Sequence, residues 1–155
     1  CGYGTFTLPA ARIISGTLHA LDIAPEMIAA TQSRLLEAGV DRVALSQRDF
    51  VREGTGLLDT SVNCALLFNI LHCEDPLSLL REAYRVLRPG GLLGIIHWIP
   101  DPNTPRGPAL EIRPRPEQCE KWAAEAGFLP RIPGIISLPP YHFGLSWCRS
   151  PHAVA

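Results

Sequence analysis

Two glycines spaced by one residue, Gly2 and Gly4, open the sequence in the string CGYGTF. Glycine lets a backbone loop approach a ligand closely, and a helix after such a loop presents unpaired N–H groups. An acid, Asp22, stands at the end of the apolar segment that follows. A carboxylate there can accept two hydrogen bonds from a ribose diol. The types and spacing of these residues indicate a site for a nucleoside.

Three more residues could complete such a site. Ile23 could cover one face of an adenine ring, Asp49 could accept a hydrogen bond from the adenine amino group, and Phe50 could pack against the ring. Both acids have a structural alternative. Asp22 could instead cap the helix that follows it, and Asp49 could be a solvated acid in a turn.

Two histidines follow or end apolar runs, His72 and His97. An imidazole titrates near neutral pH and can take a proton from a substrate. His72 could instead cap the next helix, and His97 could simply be hydrogen-bonded in place. Five cysteines at irregular spacing contain no CxxC pair, so we expect no metal site. Cys64 lies in an apolar run and is expected to be buried.

The segments that must position these residues alternate between strand and helix. Strands are expected within residues 16–23, 41–50, 61–69 and 92–98, and prolines suited to a first helical position stand at 25, 76 and 116. The string RPGG, residues 88–91, is expected to form a sharp turn. This order predicts an α/β fold with a mostly parallel sheet, helices on both faces and a C-terminal antiparallel hairpin. In such folds, ligands bind at the carboxyl ends of the strands.

The length of 155 residues predicts one domain, residues 1–155. The net charge is −1 and no basic run occurs, so nothing points to nucleic acid or an anionic membrane as a partner. The sequence contains no apolar stretch of membrane-spanning length. The odd number of cysteines favours reduced thiols and a cytoplasmic location.

Five segments together resemble class I S-adenosylmethionine-dependent methyltransferases of the type 11/25 kind. They are CGYGTF (1–6), ALDIAPEMI (20–28), QRDF (47–50), the run 66–95 and EQCEKWAAEAGF (117–128). The string LREAYRVLRPGG, residues 80–91, is the most specific. Two alternatives stay open: an NAD(P)-dependent oxidoreductase of Rossmann type, and a non-catalytic cofactor-binding domain. The first is disfavoured because Thr7 replaces the third glycine of the dinucleotide fingerprint.

The resemblance implies S-adenosyl-L-methionine as cofactor and methyl transfer to a small-molecule acceptor. It assigns cofactor contacts to Gly2, Tyr3, Gly4, Asp22, Ile23, Met27, Asp49, Phe50 and Asn69, with Asn69 at the methionine end. His72 and His97 are the candidate catalytic residues. In the family a first strand would precede Cys1, so the sequence is expected to be a fragment with weak or no catalysis. Neither the acceptor nor the oligomeric state follows from the sequence.

Overall fold

The computed structural model describes residues 1–151, apart from the side chain of Pro133. These residues fall into two compact units, the first Cys1–Gly56 and the second from Leu57 onward. Within the part of the chain that is described, no helix has the length and apolar character needed to cross a membrane.

The first unit contains two helices and a pair of parallel strands. Its elements are α1 (Thr7–Ile13), β1 (Leu18–Asp22), α2 (Pro25–Glu37) and β2 (Val43–Gln47). Asp22 lies opposite Gln47 at the carboxyl end of the β1–β2 pair. Pro25 occupies the start of α2, where its missing N–H costs no helical hydrogen bond, and α2 ends just before Gly39.

The second unit is built on a four-stranded sheet in the order β3-β4-β6-β5. Its elements are β3 (Val62–Phe68), α3 (Pro76–Val86), β4 (Leu87–Trp98), a short 3₁₀ helix (Leu110–Ile112), α4 (Pro116–Glu125), β5 (Phe128–Leu138) and β6 (His142–Arg149). β3 and β4 are parallel, and β6 is antiparallel to both of its neighbours. The predicted α/β class, with parallel strands and a C-terminal hairpin, is confirmed.

Helix α3 shows how local sequence sets an element in this unit. The Asp75 side chain accepts a hydrogen bond from the Ser78 N–H at 2.9 Å, which caps the helix at its predicted start. The apolar stripe of α3 is buried and comprises Leu79, Leu80, Ala83 and Val86. Burying one leucine side chain of this kind contributes about 1.5–3 kcal/mol to folding.

The far end of α3 is held by a charged side chain from β6. The Arg149 guanidinium donates to the carbonyl oxygens of Tyr84, Arg85 and Leu87, at 2.9, 3.2 and 2.6 Å. It also lies over the Tyr84 ring, 4.6 Å from its centroid. Arg149 therefore donates to carbonyl groups at the end of the helix, of which that of Arg85 also accepts from the Thr60 N–H at 2.9 Å.

The string RPGG does not separate α3 from β4 as a turn but lies within β4. Val62 pairs with Leu87 and Cys64 pairs with Leu92, so two steps along β3 (64 − 62) match five along β4 (92 − 87). Gly90 takes up the distortion with φ of +76°. The sequence signal for a bend was sound, but the pairing with β3 turns that bend into a bulge.

One face of β3 is exposed, contrary to expectation. Cys64 is exposed and Leu66 is 42% exposed, and both point to the same face because they are two residues apart. β3 is one of the two outer strands of its sheet. The prediction that Cys64 is buried is wrong, since an apolar run on an outer strand need not be covered on both faces. By contrast, Cys119 on α4 is fully buried.

Candidate functional site

The opening loop of the first unit adopts a conformation that suits glycine. Gly2 and Gly4 have φ of +55° and +74°, in the left-handed region. A Cβ on Gly4 would lie 3.1 Å from Cγ2 and Oγ1 of Thr31, whereas a Cβ on Gly2 would meet no atom within 4 Å. Gly4 is therefore required by packing, and the open space beside Gly2 leaves room for a ligand against the backbone.

Helix α2 anchors this loop through two polar side chains. The fully buried Thr31 donates from Oγ1 to the Gly2 carbonyl at 2.8 Å, and Arg34 donates to the Tyr3 carbonyl at 2.8 Å. This contact of Thr31 with the loop is not among the expectations from the sequence. Its signal was present, because Thr31 is the one polar residue in a stripe at helical spacing formed by Met27, Thr31, Leu35 and Ala38.

Asp22 joins the end of β1 to the opening loop. Its Oδ2 accepts from the Gly2 N–H and the Cys1 amino group, both at 2.7 Å, and its Oδ1 accepts from the Ala24 N–H at 3.1 Å. Burial raises the pKa of this carboxyl, but these hydrogen bonds and the positive amino group outweigh burial and lower it below 3.8. The carboxylate is thus ionised, and Oδ1, with one donor, keeps acceptor capacity.

The other residues predicted in this unit differ in surroundings. Tyr3 and Ile23 are 64% and 59% exposed, whereas Met27 and Phe50 are half-buried. Asp49 Oδ1 accepts from the Arg52 N–H at 3.2 Å, a contact typical of an acid in a turn. The structure therefore brings Gly2 and Asp22 into contact and places Gly4 in the same loop, while an adenine contact for Asp49 stays a prediction.

In the second unit, Asn69 follows directly after β3. Its N–H donates to the Ile96 carbonyl at 2.8 Å, and its φ of +54° is left-handed. Asn tolerates this region better than most residues, although the conformation costs of order 1 kcal/mol. Its Oδ1 is buried with no hydrogen-bond partner among the described residues. A buried acceptor of this kind calls for a donor from a ligand or a water.

The two predicted catalytic histidines are in contact. Nδ1 of His72 lies 3.3 Å from Nε2 of His97. His97 is fully buried and His72 is half-buried. Burial lowers the pKa of both imidazoles. For His97 the pKa falls to about 4, because burial and the nearby basic groups His72, His142 and Arg113 outweigh the hydrogen bond to the Trp98 carbonyl.

A third histidine lies near this pair, on the first residue of β6. His142 is the sheet partner of Trp98, and the centroids of their rings are 4.2 Å apart. Its Nε2 is buried without a partner among the described residues. From the sequence, where His142 follows a double proline, a pocket-lining role for it is not expected. Only the β4–β6 pairing, which the sequence does not reveal, brings it to His97.

Comparison with known sequences gives a consistent family. Residues 1–91 match the family described as "Methyltransferase domain". The chain is 34% identical over 95 residues to the ubiquinone biosynthesis O-methyltransferase of Xanthomonas oryzae, a match that covers 60% of this chain and 38% of that protein. The corresponding protein of Xanthomonas axonopodis is 33% identical over the same length. The chain thus spans well under half the length of these relatives.

Solved structures share the fold. A S-adenosylmethionine-dependent methyltransferase from Aquifex aeolicus has a TM-score of 0.82 at 22% identity, over 95% of this chain and 77% of that one. A putative type 11 methyltransferase from Sulfolobus solfataricus has a TM-score of 0.73 at 26% identity, over 100% and 82%. The [4+2]-cyclase SpnF also reaches 0.82, at 18% identity, over 97% and 72%.

The fold is the Rossmann-like fold of methyltransferases. The chain belongs to the family of methyltransferase domains that matches its residues 1–91. The family and the solved relatives indicate S-adenosyl-L-methionine as the cofactor. In the first unit, the open space at Gly2 beside the acceptor Asp22 fits the ribose of that molecule. In the second unit, taken by itself, Asn69 Oδ1 has no hydrogen-bond partner among the described residues.

Proposed function

We propose that this protein transfers a methyl group from S-adenosyl-L-methionine to an oxygen atom of a small-molecule acceptor. The observation that carries the proposal is the pairing of Asp22 with the Gly2 loop. An ionised carboxylate at a strand end holds a glycine whose Cβ position is empty. Such a pair offers a ribose an acceptor and a close approach to backbone.

Each predicted cofactor residue has a role in this proposal. Asp22 accepts from the ribose hydroxyls, and Tyr3, Ile23, Met27 and Phe50 supply apolar surface to the nucleoside, with Asp49 at the adenine amino group. Gly2 and Gly4 keep the loop open to the ligand. Asn69 Oδ1, which has no hydrogen-bond partner among the described residues, accepts from the ammonium of the methionine part. When bound, the cofactor supplies a methyl group carried on a positively charged sulfur.

The choice of an oxygen acceptor rests on the relatives and on His72. The curated relatives at 33–34% identity are O-methyltransferases. A hydroxyl must lose its proton when it is methylated, and an imidazole that is neutral at physiological pH can accept that proton. His72 has a lowered pKa and is only half-buried, which leaves it accessible to an acceptor. We further propose that the 155-residue chain alone transfers methyl groups weakly.

The test is calorimetric titration of the 155-residue chain with S-adenosylhomocysteine. We expect binding, and we expect Asp22→Asn to raise Kd at least about tenfold, because an amide nitrogen replaces one acceptor and meets the Gly2 N–H. Asp41→Asn, at an exposed acid before β2, is the matched control and should leave Kd unchanged. A parallel titration with NADH addresses an oxidoreductase. Binding of NADH without S-adenosylhomocysteine would reject the proposal.

A further inference from the structure

The groups around His72 and His97 determine which ring donates the hydrogen bond between them and which ring accepts it. His97 Nδ1 lies 3.4 Å from the carbonyl oxygen of Trp98, which can only accept a hydrogen bond. The proton on the His97 ring is therefore at Nδ1. A neutral imidazole has one N–H, so Nε2 of His97 is left as an acceptor.

His72 must then donate to His97. The atom of His72 that faces Nε2 of His97 is Nδ1, at 3.3 Å. An acceptor at Nε2 is satisfied only if His72 Nδ1 carries its proton. The remaining nitrogen of His72, Nε2, then carries a lone pair with no donor among the residues that the structure describes, and His72 is half-buried rather than enclosed. The buried ring thus determines which nitrogen of the accessible ring is the base.

We propose that His97 is a positioning residue that holds His72 in its Nδ1–H form, so that His72 Nε2 takes the proton of a hydroxyl acceptor. The role as base rests on the proposed function, whereas the protonation pattern of the pair does not. His97 itself has no exposed surface and does not touch the acceptor. This differs from the expectation that His97 is a base in its own right.

The basic groups around His97 keep its ring neutral while His72 holds the proton taken from the acceptor. The groups that act on His97 are His72, His142 and Arg113, and all three are basic. A second positive charge at His97 is therefore disfavoured when His72 is protonated. After proton uptake, His72 is a donor at both nitrogens, and its bond to Nε2 of His97 is kept and becomes charge-assisted.

The atoms and electrons of the step balance. The acceptor's O–H bond breaks, and its proton forms an N–H bond at Nε2 of His72. The oxygen forms a bond to the methyl carbon while the carbon–sulfur bond breaks, and sulfur keeps that electron pair. His72 afterwards returns the proton to water. The acceptor is consequently a hydroxyl compound, with a phenol favoured because its proton is acidic, and not a tertiary amine or a thioether, which have no proton to give.

The proton positions can be measured without turnover. In the 155-residue chain labelled with ¹⁵N-histidine, two-bond and three-bond ¹H–¹⁵N correlations distinguish protonated from bare ring nitrogens. We expect His72 and His97 both in the Nδ1–H form, and a nitrogen–nitrogen coupling across the bond that joins them. The exposed His19 on β1 serves as the reference imidazole outside the pair. A His72 ring with its proton on Nε2 would overturn the proposal.

Two variants separate positioning from packing. His97→Gln places an amide oxygen where Nε2 stands, so His72 should keep its Nδ1–H form. His97→Phe keeps an aromatic ring at this position but removes the nitrogen that accepts the hydrogen bond from His72. The His72 ring should then shift to the Nε2–H form that imidazole prefers in water. An unchanged His72 ring in His97→Phe contradicts the proposal. If His97→Phe does not fold, the wild-type and His97→Gln spectra decide.

Activity gives a second readout, with catechol as the probe acceptor. His97→Phe should lower kcat roughly 10–100-fold at unchanged KM, and His97→Gln should restore most of it. Titration of the same samples with S-adenosylhomocysteine separates the two proposals. If S-adenosylhomocysteine does not bind but the proton positions are as expected, methyl transfer is rejected and the role of His97 stands. If S-adenosylhomocysteine binds but His72 is in the Nε2–H form, the role of His97 is rejected and methyl transfer stands.

Discussion

The polar groups of the two candidate sites differ in how far the protein itself satisfies their hydrogen bonds. In the first, both oxygens of Asp22 already accept hydrogen bonds from the protein itself. In the second, Asn69 Oδ1 and His142 Nε2 are buried without partners among the described residues, and the contact between His72 and His97 joins two rings whose pKa values are lowered. In the first unit, the acceptor left for a ligand belongs to a carboxylate that already holds a loop, whereas in the second unit such atoms have no partner among the described residues.

Mild acid should distinguish the units most strongly. His97 has a pKa of about 4 in the folded state against 6.5 unfolded, so the unfolded chain binds more protons between these values. The free energy of unfolding should therefore fall by about 3 kcal/mol as pH decreases from 6.5 to 4. All three tryptophans, at 98, 122 and 147, lie in the second unit, so denaturant titration followed by tryptophan fluorescence reports on it.

His97→Gln is the control for this pH dependence. It should flatten the fall in stability over the same interval, leaving a smaller slope from His72 and His142, whose pKa values are also lowered. If the free energy of unfolding of His97→Gln depends on pH as steeply as that of the wild type, His97 has an ordinary pKa. Its burial would then not distinguish the second unit from the first.

The first unit should instead be sensitive to backbone conformation. Gly4→Ala places a Cβ 3.1 Å from Thr31 at a left-handed φ, which should cost about 2–3 kcal/mol. Gly2→Ala has the left-handed φ but no clash, so it should cost about 1 kcal/mol and mainly weaken S-adenosylhomocysteine binding. Thermal unfolding followed by circular dichroism measures the stabilities. Equal losses for both variants would show that Thr31 yields to the added methyl group.

Arg149→Met tests how far charged hydrogen bonds support the second unit. The methionine keeps apolar contact with Tyr84 but removes a donor from three carbonyl groups, of which that of Arg85 keeps the Thr60 N–H, at a cost of about 2 kcal/mol. Arg131→Met, at an exposed position on β5, should change stability by less than about 0.5 kcal/mol. Urea unfolding by tryptophan fluorescence compares them. A similar effect of both variants would remove any special role for Arg149.

The smallest effect is expected at the surface ion pair of Arg85 and Asp59. Asp59→Asn should cost less than about 1 kcal/mol, because Asp59 is exposed and Arg85 keeps its bonds to Glu82 and to the Leu57 carbonyl. The loss should vanish in 1 M salt, where charges are screened over about 3 Å. A loss that persists in salt would show that the contact acts as a hydrogen bond and not through charge.

Local signals in the sequence predicted much of the fold. The prolines at 25, 76 and 116 begin helices as expected, because proline fits a first helical position. Asp22 ends β1 as predicted. These features depend only on residues close in the chain, so the sequence carries them directly.

The details of the candidate site depend on strand register, which the sequence does not encode locally. His72 meets His97 because Phe68 pairs with Ile96, and His142 joins them because it pairs with Trp98. Both pairings join residues that are far apart in the chain. The exposure of Cys64 is of the same kind, since it depends on which strand lies outermost.

The contrast between Cys64 and Cys119 makes it possible to measure how often the second unit opens locally. A thiol reagent can reach the exposed Cys64 directly, although partial burial raises the pKa of its thiol, whereas Cys119 is fully enclosed and burial raises the pKa of its thiol to about 12. Cys119 can therefore be alkylated only during the moments when α4 lifts from the sheet. The rate at which Cys119 is alkylated, compared with the rate for Cys64, therefore measures how often α4 opens. A ligand that stabilises the closed form of this unit would slow the alkylation of Cys119 but not that of Cys64.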